Sequence, residues 1–227
     1  MSITDKAKEF AIAQHAAQKY GEHPYSYHLA QVSQVLTEFG YAGDESMIAA
    51  AWLHDTIEDT DATYEMLVSE FGQETADIVF AVTNEPGENR EEYFRKTAPK
   101  IASNKKALTV KLADRISNTE SNLKINQRIY QKYVKEFPLF KELLYNQDDV
   151  DLLPMWNRLI KASTWTFFPA MQSLGIWFPR LEPGNQLIFS TGSSGNTKSA
   201  GRASQVTVGA LELDGIWSTI SSYHFRF

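Results

Sequence analysis

The sequence predicts an all-α helical bundle that carries an irregular or weakly β C-terminal extension. Three observations predict it. Apolar residues recur with a period near 3.6 from residue 3 to about residue 162. Glycines, prolines and short polar caps cut that stretch into pieces of helix length. After about Ala162 the period is lost, and a Ser/Gly/Thr-rich run follows from Thr191 to Gly201. The expected organisation is a domain over residues 1–162 and an extension of unassigned role over 163–227.

The elements follow in order. Ser2 or Thr4 can cap a first helix with Phe10, Ala13 and Ala17 on one face. Pro24 interrupts. A second helix carries His28, Val32, Val35, Leu36 and Phe39, and Gly40 ends it. Asp44 opens a third, which runs through Met47, Ile48, Ala51, Trp52 and Leu53 to about Ile57. A fourth holds Tyr64, Leu67 and Phe71 and stops at Gly72. A fifth spans Thr75 to Thr83, before a turn at Pro86-Gly87. A sixth covers about Arg90 to Ser103, with Pro99 expected to bend or end it. A seventh starts at Lys105 with Leu108, Leu112 and Ile116. An eighth runs from about Asn126 to Tyr145, bent or broken near Pro138. A ninth spans Val150 to Lys161 with Pro154 in its first turn. Beyond it, Gln205 to Phe227 alternates weakly, with Asp214-Gly215 as a hairpin turn. The tail aromatics Trp165, Phe167, Phe168, Trp177 and Phe178 are expected against the helices. A homo-oligomer contact or a membrane-surface patch is the alternative.

Composition removes several function classes. The 227 residues include 28 acidic and 22 basic side chains, a formal net charge of −6. That balance argues against nucleic acid as a partner, because sequence-independent binding needs a positive field. There is no cysteine, so disulfide scaffolds, thiolate-bound zinc, iron–sulfur clusters and thiol nucleophiles are excluded. The charged N-terminal segment is not a secretory signal. No stretch reaches the roughly 18 uninterrupted apolar residues of a membrane helix. The cytoplasm is the expected compartment.

Chemistry concentrates in three segments. In Ala49-Ala-Ala-Trp-Leu-His54-Asp55-Thr-Ile-Glu58-Asp59, an apolar helix runs into four polar groups within six residues. His54 and Glu58 are four apart, as are Asp55 and Asp59, so each pair shares a face if the helix persists. Burying such groups beside Trp52 and Leu53 is costly unless something pairs them. A bare His-Asp dipeptide is commonly a surface pair, but this six-residue pattern is far narrower. Two further segments join it. Pro24-Tyr25-Ser26-Tyr27-His28 puts a histidine in the first turn of a helix. Val110-Lys111-Leu-Ala-Asp114-Arg115-Ile-Ser-Asn118 puts Asp and Asn four apart. Two imidazoles and two carboxylates suit a divalent cation such as Mn²⁺, Fe²⁺, Co²⁺ or Zn²⁺. Between Arg90 and Arg115 stand eight basic residues against three acidic ones. Lys111 and Arg115 flank Asp114 and are the favoured phosphate contacts. His15 and His23 are candidate extra ligands, with helix-surface or loop roles the favoured reading.

The words "HPYSYH", "AAWLHDTIEDT" and "VKLADRISN" resemble the HD-domain metal phosphohydrolases. They are most similar to the hydrolase domain of the RelA/SpoT family and its small stand-alone alarmone hydrolases. The resemblance covers roughly residues 3–161 and also includes "NLKINQRIYQKYVKEFPLFKELLY". It implies an all-α HD-domain helical bundle that binds Mn²⁺ and removes pyrophosphate from the 3′ position of guanosine tetra- and pentaphosphate. By position, it makes His28, His54, Asp55 and Asp114 metal ligands and Glu58 and Asp59 the catalytic pair. It places Asn118 near the nucleotide and Tyr25 at the pocket lining, where a packing role competes equally. The family's guanine-packing arginine is replaced here by Lys19, which lacks the planar guanidinium face. Other nucleotide substrates, such as NADPH or an adenine alarmone, therefore stay open, as does an inactive HD-fold binding module.

Overall fold

A computed structural model of the chain describes residues 2–164 in full and, beyond them, the backbone of 176–182 and 186–191. The chain divides into two compact units, Met1–Thr164 and Trp165–Phe227.

The first unit is helical. α1 (Ile3–His15) starts from a capping box. The Ser2 hydroxyl accepts from the Asp5 N–H, and the Asp5 carboxylate accepts from the Ser2 N–H. It buries Ala7, Ala11 and His15. Ala13 and Ala17, expected on the apolar face, are exposed instead. The helix stops at His15, because Ala16 turns to φ +36°. Two short antiparallel strands follow, β1 (Lys19–Tyr20) and β2 (His23–Pro24), joined through Gly21 at φ +60°. Strands of two residues carry no readable period, so nothing in the sequence announced them.

α2 (Ser26–Glu38) ends before Gly40, whose φ of +89° closes the helix. A 3₁₀ turn, Tyr41–Gly43, leads to Asp44, whose carboxylate accepts from the Met47 N–H and caps α3 (Glu45–Leu53). Every residue of α3 from Met47 to Leu53 is buried, so this helix lies at the centre. The expected third helix is one piece to about Ile57. The structure splits it at His54-Asp55 and starts a new turn, α4 (Thr56–Asp59). Side chains close the end of α3: the Thr56 hydroxyl donates to the Leu53 carbonyl at 2.7 Å, and the His54 ring bonds the Ala51 carbonyl at 2.9 Å.

α5 (Tyr64–Phe71) is capped by Thr63, and α6 (Gln73–Val82) follows Gly72. α7 (Arg90–Ala102), α8 (Lys105–Ile125) and α9 (Gln127–Leu144) are capped by Asn89, Asn104 and Asn126. α10 spans Leu153–Thr164, three residues later than the expected start. Neither interior proline ends its helix. α7 runs through Pro99 and α9 through Pro138. Each forgoes one backbone bond, and buried neighbours hold the helix in place: Ala98 and Ile101 in α7, Phe137 and Phe140 in α9.

The 21-residue α8 is the axis of the bundle and packs against α2, α3, α6, α7, α9 and α10. Leu29, Leu36, Leu53, Ile78, Ile101, Leu112, Ile116 and Trp156 are nearly or fully inaccessible and form the core between these helices. No helix among the described residues is long and apolar enough to cross a membrane.

In the second unit, β3 (Ile176–Glu182) and β4 (Gln186–Thr191) pair antiparallel, Ile176 opposite Thr191 and Glu182 opposite Gln186. The sequence reading assigned no strands there. The alternation over Gln205–Phe227, most of the Thr191–Gly201 run, and the side chains of the tail aromatics lie outside the described residues.

Candidate metal centre

Three segments bring the polar groups together. His28 comes from the first turn of α2, which packs on both α3 and α8. His54 and Asp55 come from the break between α3 and α4. Asp114 comes from α8, one face of which is buried over its whole length. Ligand atoms of His28, His54 and Asp55 all lie within 4.8 Å of one another. Asp114 Oδ1 is 3.3 Å from His28 Nε2 and 3.7 Å from His54 Nε2. Asp55 Oδ2 is 3.0 Å from His54 Nε2 and 3.8 Å from His28 Nε2. Both imidazoles are buried, at 1% and 2% exposure.

The fit to a cation rests on His54. Its Nδ1 lies 2.9 Å from the Ala51 carbonyl, which can only accept, so Nδ1 carries the hydrogen. In the neutral ring Nε2 is then a lone pair. It faces two carboxylate oxygens and has no hydrogen-bond partner. Lone pairs that face each other in a buried site repel, and a proton or a metal cation between them relieves this. Without the metal, the proton takes that place. Burial would depress the His54 imidazole, but the Asp55 and Asp114 carboxylates outweigh burial and lift it to about 10. Burial likewise opposes the charge on Asp55, yet the His54 ring holds that carboxyl below its ordinary range. For Asp114 the opposing partners are Lys111, His28 and His54. Two imidazole nitrogens and two carboxylates fit a divalent cation of the first transition row.

A second ring of bonds orients these groups. Tyr25 Oη donates to Asp55 Oδ2 at 2.5 Å. Asn118 Nδ2 donates to Asp114 Oδ1 at 2.5 Å. Tyr20 Oη donates to Asn118 Oδ1 and accepts from Asn122 Nδ2, both at 3.0 Å, and its ring stacks on His28 at 4.9 Å. Asn118 thus holds a carboxylate in place. Sequence reasoning missed Tyr20 and Asn122; the only hint was Asn122 recurring four residues after Asn118 on one helix face.

Glu58 and Asp59 sit on α4, both exposed. The Glu58 carboxylate accepts from the Asn84 side chain at 2.8 and 2.9 Å and from the Asn84 backbone N–H at 3.2 Å. Asp59 Oδ2 accepts from Gln18 Nε2 at 3.2 Å. Although Asp59 is exposed, its carboxyl is partly desolvated, which raises it, and Asp55 and Glu58 add to the effect. Asn84 and Gln18 were not singled out as site residues, and His15 was considered only as an extra ligand. His15 is moreover buried, at 4% exposure, rather than on the helix surface. His23 is exposed on β2, stacked on Tyr27.

The expected phosphate contacts diverge. Lys111 Nζ lies 3.2 Å from Asp114 Oδ2. Burial works against its charge, but Asp114, Asp55 and Glu58 overcome this and raise its pKa. Arg115, also expected at the phosphate, is paired elsewhere. One residue further along α8 it points another way, buried at 3%, with both terminal nitrogens 2.9 Å from Glu136 Oε2. Its guanidinium lies over the rings of Tyr133, Phe140 and Phe94. It forms an ion pair between α8 and α9 that engages both terminal nitrogens. Lys19 is exposed on β1 and makes no side-chain hydrogen bond or ion pair among the described residues.

Known proteins are similar to this chain in sequence and in fold. A family model described as "HD domain" matches residues 7–138. A probable guanosine-3′,5′-bis(diphosphate) 3′-pyrophosphohydrolase from Synechocystis is 42% identical over 118 residues, covering 48% of this chain and 15% of that protein. The guanosine-3′,5′-bis(diphosphate) 3′-pyrophosphohydrolase MESH1 of Drosophila melanogaster is 33% identical over 135 residues, covering 56% of this chain and 75% of that one. The match therefore spans a minor part of the long Synechocystis relative and most of the short animal one. A solved metazoan ortholog of SpoT, described as hydrolysing ppGpp, superimposes with a TM-score of 0.62 at 24% identity, over 73% of this chain and 96% of that one. That last likeness is one of fold.

Proposed function

The chain belongs to the HD domain family, and from that premise we propose that it is a metal-dependent 3′-pyrophosphohydrolase of guanosine 3′,5′-bis(diphosphate). The observation that carries the proposal is the convergence of His28, His54, Asp55 and Asp114 from three segments, with Glu58 and Asp59 on the adjoining turn. The names of its relatives supply the substrate.

His28, His54, Asp55 and Asp114 would hold the cation, with Mn²⁺ the proposed metal. When bound there, it supplies Lewis acidity for a phosphoryl oxygen and for water. The chain's own groups do the rest. Tyr25 and Asn118 each spend a hydrogen bond on one aspartate and fix its orientation. Asp59, whose carboxyl holds a proton more readily than an ordinary aspartate, takes the proton of the attacking water. Glu58, clamped by Asn84, flanks it and orients the water. The water oxygen bonds to the phosphorus on O3′, and the O3′–P bond breaks. Nucleoside 3′-hydroxyl and pyrophosphate leave, the proton returning to O3′. Lys111 brings positive charge beside the carboxylates toward an anionic substrate.

The experiment is direct. The Mn²⁺-loaded chain is given guanosine 3′,5′-bis(diphosphate), and released pyrophosphate is measured by ion chromatography. Parallel samples receive NADPH and an adenine alarmone. Pyrophosphate from the guanosine substrate, absent in Asp55→Ala, is the expected result. Folded, metal-loaded protein that releases none refutes the substrate; faster phosphate release from NADPH would move the assignment there.

A further inference from the structure

His15 is a buried histidine outside the ligand set, and its bonding is unusual. Its Nδ1 lies 2.8 Å from Gln18 Oε1. A carbonyl oxygen can only accept, so Nδ1 carries the hydrogen. The other end of the same amide, Gln18 Nε2, donates to Asp59 Oδ2 at 3.2 Å. This orientation of Gln18 suits an ionised Asp59, because a flipped amide would set its oxygen against the carboxylate. The His15 ring also stacks on Tyr25, centroids 4.4 Å apart and 24° between planes, and Tyr25 Oη donates to Asp55. One imidazole therefore touches two lines of contact, one ending on Asp59 and the other on Asp55.

Two further features fall at the same corner of the chain. His15 Nε2 is buried with no partner. That costs stability which an apolar ring in the same space would not. Ala16 is the one non-glycine at positive φ among the described residues. Backbone bonds fix the strained corner on both sides, Gln18 N–H to His15 O at 2.7 Å and Tyr25 N–H to Gln18 O at 3.1 Å. Strain and an orphaned polar atom within a few residues are retained where they serve a site.

We propose that His15 is a positioning residue for the hydrolysis, fixing Asp59 through the Gln18 amide and seating Tyr25 on Asp55 through its ring. The inference rests on the hydrolase reading above, and its test separates the two.

The full 227-residue chain, loaded with Mn²⁺, is compared with four variants. His15→Phe keeps a ring against Tyr25 but has no donor. His15→Asn puts an N–H close to where Nδ1 stands. Gln18→Ala removes the relay, and His15→Phe/Gln18→Ala removes both. On guanosine 3′,5′-bis(diphosphate), His15→Phe is expected to lower kcat about tenfold, with KM and bound Mn²⁺ unchanged. His15→Asn recovers most of that loss, and the double variant is no slower than Gln18→Ala alone. Independently of any substrate, the Gln18 side-chain amide, assigned by its loss in Gln18→Ala, exchanges slowly with deuterium in the wild type and fast in His15→Phe. Wild-type kcat in His15→Phe, losses that multiply in the double variant, or an unchanged Gln18 amide each overturn the proposal. Should His15→Phe fail to fold, Gln18→Ala must show the tenfold kcat loss, and wild-type turnover there overturns it. If the wild type releases no pyrophosphate, the hydrolase reading falls and the amide exchange alone decides the positioning.

Discussion

Asp55 and Asp114 stand between the two imidazoles, so removing either leaves the cage with too few charges for a dication. Asp55→Ala and Asp114→Ala are expected to purify without stoichiometric metal and without activity, as read by plasma mass spectrometry and pyrophosphate release. Asp59→Asn keeps the size of the side chain but removes the proposed proton acceptor, so metal content should hold while turnover drops by roughly 10²–10⁴-fold. Tyr20→Phe removes the hydroxyl that ties Asn118 to Asn122. It should weaken metal affinity by roughly 10–100-fold in a competition titration with a chelator. Acid acts in the same direction. The His54 imidazole, lifted to about 10 by its carboxylates in the metal-free protein, holds a proton that the cation must displace. Metal uptake therefore releases protons and weakens as pH falls. For the metal-free fold the sign is opposite. The raised His54 adds stability in full below its unfolded value near 6.5, and that stability is lost as pH rises through about 10. Calorimetry of the chelated protein should show its melting temperature falling across that window. His54 and Asp55 were readable as candidate ligands because His-Asp-x-x-Glu-Asp is too polar to end a buried helix without a purpose. The roles of His15, Gln18 and Asn84 were not readable, because their meaning lies in which side chain each meets across the fold, and spacing carries no such information.

Helix starts and stops were legible wherever a single residue settles them. Asp44 was read as the opening of α3 and is its cap. Asp44→Ala should cost about 1 kcal/mol by urea denaturation. Burial pushes the Asp44 carboxyl up, but Lys106, Ser46 and the Met47 N–H outweigh it and hold it below its ordinary 3.8. That contribution is present above 3.8 and disappears as pH falls through the lower folded value. Gly40 was read as the end of α2 and sits at φ +89° in open space. Gly40→Ala should cost about 1 kcal/mol through backbone strain alone, with no clash to relieve. The prolines end neither helix, for a local reason. Pro99 and Pro138 each remove one hydrogen bond, but Ile101 and Phe140 beyond them are buried, and tertiary packing keeps the helix going. The break at His54-Asp55 has the reverse cause. Nothing in the apolar run ends there; the Thr56 hydroxyl takes the Leu53 carbonyl and the helix closes.

At the level of the whole chain, the core residues of the helical unit all fall between Ala7 and Leu159. A chain ended after Thr164 should still unfold in one cooperative step and still bind metal, as followed by circular dichroism and plasma mass spectrometry. Loss of the helical signal in that shortened chain would show that the tail is needed for the bundle. The helical class was evident from the 3.6-residue period. The β3–β4 pair was not, because Trp177-Phe178-Pro179 and Leu187-Ile188-Phe189 read as unbroken apolar runs without the alternation that marks a half-exposed strand. Asp114 is the tenth of 21 residues in α8, a rod gripped along its length by six other helices. Fraying from either end does not reach that rung, so its amide should exchange only when the molecule melts as a whole. His54 and Asp55 occupy a joint instead, where one helix has just ended and a single turn begins. The cage has one wall set in bedrock and one set on a threshold, and heat should loosen the grip on the ion from the second side first.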